Sequence, residues 1–374
     1  MKKPFAGLTA SLAVWLISRP AMADFQLNMR EGATDISHEV HDLHMMITYV
    51  CIVLAVLVFG AMFYSIIKHR KSRGHEAATF HESTTVEIIW TVIPFLILIA
   101  MAIPAAKTLI AMEDNSAADL TIKVTGYQWK WRYEYMDGDA KGLSFFSLLA
   151  TPREQIEGKA KKGEHYLLEV DKPLVLPVDK KVRFLVTSND VIHSWWVPDF
   201  AVKQDAVPGF INEAWAIIKE PGTYRGQCAE LCGKDHGFMP INVVALDEKA
   251  YLDWAAEKKA AAAALASAAD KEWSKDDLFA KGEQVYAKIC AACHQPNGKG
   301  IPGVFPSIAG SPVATGPVDG HIGVVMNGRP GTAMQAFAGQ LSDLDIAAVI
   351  TYQRNAFGNN KGDFVQPKQI KAKR

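Results

Sequence analysis

Two short stretches carry most of the residues able to do redox or metal chemistry. The first, Cys228-Ala-Glu-Leu-Cys232-Gly-Lys-Asp-His236-Gly-Phe-Met239, packs two thiols, an imidazole and a thioether into twelve residues. His193 lies upstream in Val191-Ile192-His193-Ser194-Trp195-Trp196. Soft sulfur with imidazole suits copper, and one cysteine with histidine and a weak methionine is the blue-copper pattern. Here there are two cysteines, and two bridging thiolates can hold a copper pair that shares one electron. Sharing lowers the geometric change per electron and so favours fast transfer. An exported Cys-x-x-x-Cys could instead close a disulfide, and two Cys with two His could bind zinc. Neither alternative uses Met239.

The second stretch, Cys290-Ala-Ala-Cys293-His294, is the attachment motif of c-type haem. The two thiols add to the haem vinyls and His294 is held against the iron. The competing reading is a redox Cys-x-x-Cys, but the histidine that follows and the small helical unit around the motif argue against it. A sixth ligand has to come from downstream. Methionine raises the potential of such haems, and the candidates are Met326 and Met334. The remaining cysteine, Cys51, sits in an apolar run and reads as a small apolar residue.

These stretches need scaffolds. The chain has 374 residues, enough for more than one domain, and equal numbers of basic and acidic residues, 40 each, give no global basic excess for nucleic acid. Its apolar residues concentrate before position 112. Residues 1–23 read as a secretory signal: Lys2 and Lys3, an apolar run from Leu8 to Ile17, then Ala21-Met22-Ala23 before a cleavage site at Asp24. Segment 24–112 then holds two uncharged runs, Met45 to Ile67 and Ile88 to Ala106. Each has the roughly 20 residues a bilayer crossing needs, giving helices expected over about 45–67 and 88–110. Lys68, Arg70, Lys71 and Arg73 lie between them, while Glu31, Asp35, Glu39 and Asp42 precede the first. The positive-inside rule puts the 68–87 loop in the cytoplasm and all the metal chemistry outside. His38, His41 and His44 share a face before the first crossing, and an interfacial role is expected for them.

Residues 113–253 read as β structure. Alternation at 120–124, 166–170 and 182–186, with Pro, Gly and Asp turns between short runs, predicts a sandwich or Greek-key barrel. An Ala-rich helical or semi-rigid spacer follows at 254–273. Residues 274–357 form a small helical unit, with Ser342 and Asp345 expected to form a capping box on its last helix. A basic tail follows at 358–374, and 361–374 is expected to fray.

From about residue 35 to 250 the chain resembles subunit II of haem–copper cytochrome c oxidases. The residues that carry this are Val86-Glu87-Ile88-Ile89-Trp90, the run Gly126-Tyr127-Gln128-Trp129-Lys130-Trp131-Arg132-Tyr133-Glu134-Tyr135, His193-Ser194-Trp195 and the whole Cys228–Met239 segment. The resemblance implies a two-helix transmembrane hairpin followed by a cupredoxin-like Greek-key β-barrel holding dinuclear copper A. Cys228 and Cys232 would bridge the coppers. His193 and Met239 would complete one, and His236 with the Glu230 carbonyl the other. The Glu230 side chain would help bind a magnesium ion at the border with subunit I. Trp129 would be the point where electrons enter, and Glu87 would stand at the cytoplasmic mouth of a proton path into subunit I. Quinol-oxidising relatives lack the copper ligands, and all six positions are filled here.

Residues 274–355 resemble a small all-α cytochrome c domain. Gly331-Thr-Ala-Met334-Gln-Ala-Phe337 is similar to the methionine loop of small bacterial c-type cytochromes, with Gln335 where the family usually has proline. Pro306 matches the proline whose carbonyl holds the proximal imidazole. The two resemblances together imply an electron inlet on the outer face of a bacterial inner membrane. Its expected partners are subunit I, subunit III, membrane lipid, and either cytochrome c or a quinol–cytochrome c reductase as donor, with no nucleic acid. The other readings are electron entrance to a nitric or nitrous oxide reductase, or a membrane-anchored copper carrier or sensor, which would not need a covalent haem.

Overall fold

The computed structural model describes residues 28–76, 79, 81–268 and 271–374. The expected signal at 1–23 therefore lies outside the described residues. The chain divides into two compact units, Met1–Tyr251 and Leu252–Arg374.

The first unit begins with two helices long and apolar enough to cross a membrane, α1 (Asp35–Lys68) and α2 (Thr84–Met112). Both outrun the expected spans. Helix α1 has 34 residues, about 51 Å at 1.5 Å per residue, against a hydrocarbon core of about 30 Å. Its start is set by a capping box and by the β domain rather than by the apolar run. Thr34 and Ser37 exchange side-chain and backbone hydrogen bonds, and the Thr34 hydroxyl also donates to the Phe200 carbonyl at 3.2 Å. Thr34 bridges to Ile218, and the Arg30–Asp199 and Lys219–Asp35 pairs flank this seam. Pro94 and Pro104 are accommodated inside α2, as membrane helices allow.

Ten strands then build two five-stranded sheets. In chain order they are β1 (Leu120–Tyr127), β2 (Lys130–Tyr135), β3 (Ser144–Ser147), β4 (Leu174–Pro177), β5 (Lys181–Ser188), β6 (His193–Val197), β7 (Val202–Ala206), β8 (Asn212–Ile217), β9 (Gly222–Cys228) and β10 (Pro240–Leu246). The sheet orders are β3-β2-β1-β5-β8 and β4-β10-β9-β6-β7. Pairs β1–β5 and β4–β10 are parallel and the rest antiparallel. This is a two-sheet sandwich, as the alternation predicts, and the cupredoxin-like domain that the resemblance implies. Strand β5 buries every second residue, and Phe184 from it packs at a tilt against Trp195 of the other sheet, ring centres 4.7 Å apart. The Trp195 indole donates to the Tyr133 hydroxyl, so this polar tip is satisfied inside the core. The stretch 166–170 is not a strand. It turns at Leu167 (φ 63°) and makes one isolated bridge, Leu149–Val170.

An Ala-rich helix, α3 (Glu248–Ala268), leads from the first unit into the second. There α4 (Lys275–Val285) crosses α6 (Asp343–Asn355), and α5 (Val318–Asn327) packs on the same core of Leu278, Ile322, Val325, Leu344 and Ile350. The crossing is close because of Gly282: a Cβ there would collide with the Ala348 carbonyl. Ser342 caps α6 as expected, accepting from Asp345 N at 3.1 Å. The Asp345 carboxylate does not complete the box. It takes the Ser342 hydroxyl and pairs with Lys281 at 2.8 Å.

The tail does not fray. Val365 and Ile370 are fully buried, Val365 N donates to the Thr351 hydroxyl, and Arg374 reaches Asp343 and the carbonyls of Ala338 and Leu341. The basic composition of 358–374 concealed an apolar pair at the spacing that docks it.

His321 of α5 is buried, with Nε2 hydrogen-bonded to the Gln353 amide oxygen at 2.8 Å and Nδ1 unpartnered. Burial pushes its pKa down to about 4 from an ordinary 6.5. The unfolded chain therefore binds this proton first, and stability falls as pH drops from about 6.5 toward 4, by on the order of 3 kcal/mol, and is flat above. Thermal unfolding of the full chain across that window, compared with His321→Gln, should show the variant losing most of the slope. An unchanged slope would remove His321 from the acid response.

Candidate metal and haem centres

The first site sits where two strands of one sheet end. In the β6–β9 pairing Trp195 faces Cys228, so His193, two residues back, comes level with the loop after Cys228. That loop carries Glu230 and Cys232, turns at His236–Phe238 and re-enters the sheet through Met239 and β10. All six positions expected to hold copper meet here. Cys228 Sγ lies 3.8 Å from Cys232 Sγ, 4.0 Å from His193 Nδ1 and 3.4 Å from the Glu230 carbonyl. Cys232 Sγ lies 3.5 Å from His236 Nδ1 and 3.5 Å from Met239 Sδ. His193, Cys228, Cys232 and Met239 are buried, while Glu230 and His236 are half-buried. Among the described residues, His193, Cys228 and Cys232 form the one group of His, Cys or acid side chains with ligand atoms within 4.8 Å of one another. The stripe His38, His41 and His44 is not gathered in this way. His44 instead meets the Asn28 side chain at 2.9 Å.

These distances fit a shared metal better than the alternatives. At 3.8 Å the sulfurs are far beyond the roughly 2.05 Å of a disulfide. Two thiolates at that separation could both reach one metal ion, copper or zinc. Met239, which a zinc site would not use, is in place beside Cys232. The Cys232 thiol, His193 and nearby backbone donors hold Cys228 far below the ordinary thiol range, and the thiolate so formed pushes Cys232 up. Burial alone would lower the His193 pKa, but its bonds to Asp190 and Cys228 outweigh burial and raise it.

The surroundings are built for this ring. Gly126 faces His193, and a Cβ there would stand 2.7 Å from the imidazole Cδ2. Trp131 packs edge-on to the same ring at 5.9 Å and donates to the Met239 carbonyl. Trp129 is half-buried, and its indole N–H donates to the Cys232 carbonyl at 3.1 Å, with Lys234 over its ring. Glu87 lies elsewhere, exposed in the first turn of α2. Sequence reasoning missed Asp190 and, although Gly126 and Gln128 lie in the aromatic run, assigned those two no role. None belongs to a motif of ligand type, and only the tertiary approach of β1, the loop before β6 and the cysteine loop gives them a role.

In the second unit, a π-helical turn, Tyr286–Cys290, runs into the short helix Ala291–His294. Cys290 and Cys293 are half-buried and not joined in a disulfide. His294 Nδ1 lies 2.8 Å from the Pro306 carbonyl. A carbonyl only accepts, so Nδ1 carries the proton and Nε2 keeps its lone pair, the state an axial ligand needs. Met326 is 3% exposed within the core. Met334 is half-buried in a loop tied to α5 by Phe337 N→Val325 O and Ala338 N→Met326 O, and closed by Arg329 N→Met334 O.

Comparison with known proteins places these features. Residues 22–108 match the family model for the cytochrome c oxidase subunit II transmembrane domain, and residues 120–246 that for its periplasmic domain. Residues 277–352 match the model for cytochrome c oxidase, cbb3-type, subunit III. A probable cytochrome c oxidase subunit 2 from Rickettsia bellii is 38% identical over 239 residues, covering 64% of this chain and 86% of that one. The cytochrome c oxidase subunit 2 of Metridium senile is 37% identical, covering 66% and 97%. A crystal structure of the periplasmic domain of subunit II of cytochrome oxidase from Bradyrhizobium japonicum is 44% identical and covers 38% of this chain and 94% of that chain, with a TM-score of 0.34. The chain thus belongs to the cytochrome c oxidase subunit II family, as a membrane form with two transmembrane helices, a cupredoxin-like domain and a cytochrome c domain after it.

Proposed function

We propose that this chain is the electron inlet of a respiratory cytochrome c oxidase in a bacterial inner membrane. When bound, a covalent haem c and dinuclear copper A supply one-electron carriers between an external donor and subunit I, where oxygen is reduced to water with proton pumping. The observation that carries this reading is the convergence of six candidate ligands on two thiols 3.8 Å apart.

Cys228 and Cys232 would bridge the copper pair, with His193 and Met239 on one ion and His236 and the Glu230 carbonyl on the other. Trp129 reaches this loop through its bond to the Cys232 carbonyl, which supports a role where electrons enter. The Glu230 carboxylate would be one ligand to a magnesium ion shared with subunit I. Cys290 and Cys293 would attach the haem, with His294 and Met334 as axial ligands. The Pro306 carbonyl behind His294 supports the first of these, and the loop position of Met334, against the core packing of Met326, supports the second. Glu87, at the loop end of α2, suits the mouth of a proton path in subunit I. The cations at 68–73 keep that loop cytoplasmic and the metal domains outside. Subunit III, membrane lipid and a cytochrome c or quinol–cytochrome c reductase donor complete the proposed surroundings. Tethering the haem domain replaces a docking step between molecules by one within the chain.

Purifying the complex through this chain tests the reading. Copper, covalent haem and an oxygen-reducing haem–copper partner should copurify, and reduced donor should consume oxygen. A partner without an oxygen-reducing haem–copper pair would overturn it in favour of a denitrification reductase.

A further inference from the structure

Asp190 is not among the candidate ligands, yet its carboxylate touches both halves of the first site. One oxygen, Oδ1, meets His193 Nε2 at 2.8 Å, and the other, Oδ2, accepts the backbone N–H of Gln128 at 2.8 Å. Gln128 precedes Trp129, and the Gln128 side-chain amide and Trp129 indole both donate to the Cys232 carbonyl, at 2.9 and 3.1 Å. The bonds close a ring from His193 through Asp190 and Gln128 to Cys232, whose thiol neighbours Cys228 and, through it, His193 again. Asp190 is itself held, accepting from Val191 N at 2.7 Å and the Ser188 hydroxyl at 3.4 Å.

We propose that Asp190 is a positioning residue that fixes the tautomer and angle of His193 and, with its second oxygen, seats the Gln128–Trp129 segment on the cysteine loop. The inference rests on the copper reading above. A carboxylate can only accept, so Nε2 keeps its proton and the Nδ1 lone pair faces Cys228. A carboxylate behind an imidazole also strengthens it as a donor. A stronger donor stabilises the oxidised metal, so Asp190 lowers the midpoint potential of the pair. Because both oxygens belong to one planar group, the ligand and the tryptophan segment cannot shift independently.

The test uses the full chain in its complex, with Asp190→Ala and Asp190→Asn. Three quantities are read: copper content, the midpoint potential of the copper absorbance, and the imidazole nitrogen hyperfine couplings in EPR. In Asp190→Ala, copper affinity should fall about 10–100-fold, as for other partners behind a ligand. The potential should rise by up to a tenfold change in the oxidised-to-reduced ratio, 59 mV for one electron. Asp190→Asn retains one accepting oxygen and should fall between. Loss of charge alone would raise the potential and leave the nitrogen couplings alone, so a changed coupling in either variant supports positioning. Wild-type couplings in both variants overturn it. Loss of copper from both also overturns it, by making Asp190 a folding residue of the loop. A wild-type chain without a copper pair would instead bring down the copper reading, before any variant is compared.

Discussion

Cys232→Ser should abolish the mixed-valence copper signal while leaving the covalent haem in place. Cys232 Sγ has three candidate ligand atoms around it: Cys228 Sγ at 3.8 Å, His236 Nδ1 at 3.5 Å and Met239 Sδ at 3.5 Å. A serine hydroxyl fits the space but stays protonated at neutral pH and is a hard donor, whereas soft thiolate is what selects copper here. If the two thiolates bridge a copper pair, removing one would cost each ion a bond, so affinity should fall by more than the roughly 100-fold upper range for losing an outer partner. Metal analysis and EPR of the purified chain read the result. Survival of a multi-line copper spectrum would sink the bridging-thiolate arrangement.

The second large effect is expected from Met334→Ala. If the Met334 thioether is the sixth ligand, its loss leaves the iron with His294 alone on the protein side. The haem then turns high-spin, and its potential falls by at least about 59 mV, a tenfold change in the oxidised-to-reduced ratio. Met326→Ala supplies the contrast. Met326 is packed among Ile322, Val325 and α6, so truncation should cost about 2–5 kcal/mol of stability with the haem spectrum unchanged. Absorption spectra and thermal unfolding of the two variants decide it. A high-spin haem in Met326→Ala, with Met334→Ala unaltered, would reverse the assignment.

What could be read from the sequence was what has a short-range signature. The two apolar runs and the β alternation at 120–124 and 182–186 depend on near neighbours, and each led to the right element, while the cysteine spacings marked where the thiols cluster. The failures have a common cause. Helix α1 starts ten residues before its apolar run because Thr34 and Ser37 cap it against the β domain, a contact composition does not encode. Residues 166–170 alternate like a strand, yet Leu167 takes a positive φ and the segment turns. The tail reads as solvated from its lysines, but Val365 and Ile370 find a hydrophobic seat on α6. Asp190 was illegible for the same reason. An aspartate three residues before a histidine means little until a distant strand brings Gln128 to its other oxygen.

The seam at the start of α1 also has a geometric consequence. Residues 35–44 stand ahead of the apolar run as one uninterrupted helix, about 15 Å of rigid post at 1.5 Å per residue. Thr34, Arg30 and Asp35 pin the head of that post to the sandwich, with no hinge between them. If the candidate ligands hold copper and the apolar run of α1 crosses the membrane, their stand-off from the lipid surface is a length set by this helix. Tunnelling rates fall steeply with separation, so on the proposed function a post of constant height would hold the gap to an acceptor in subunit I constant. Inserting a few residues in this stretch would lengthen and rotate the post without touching any ligand.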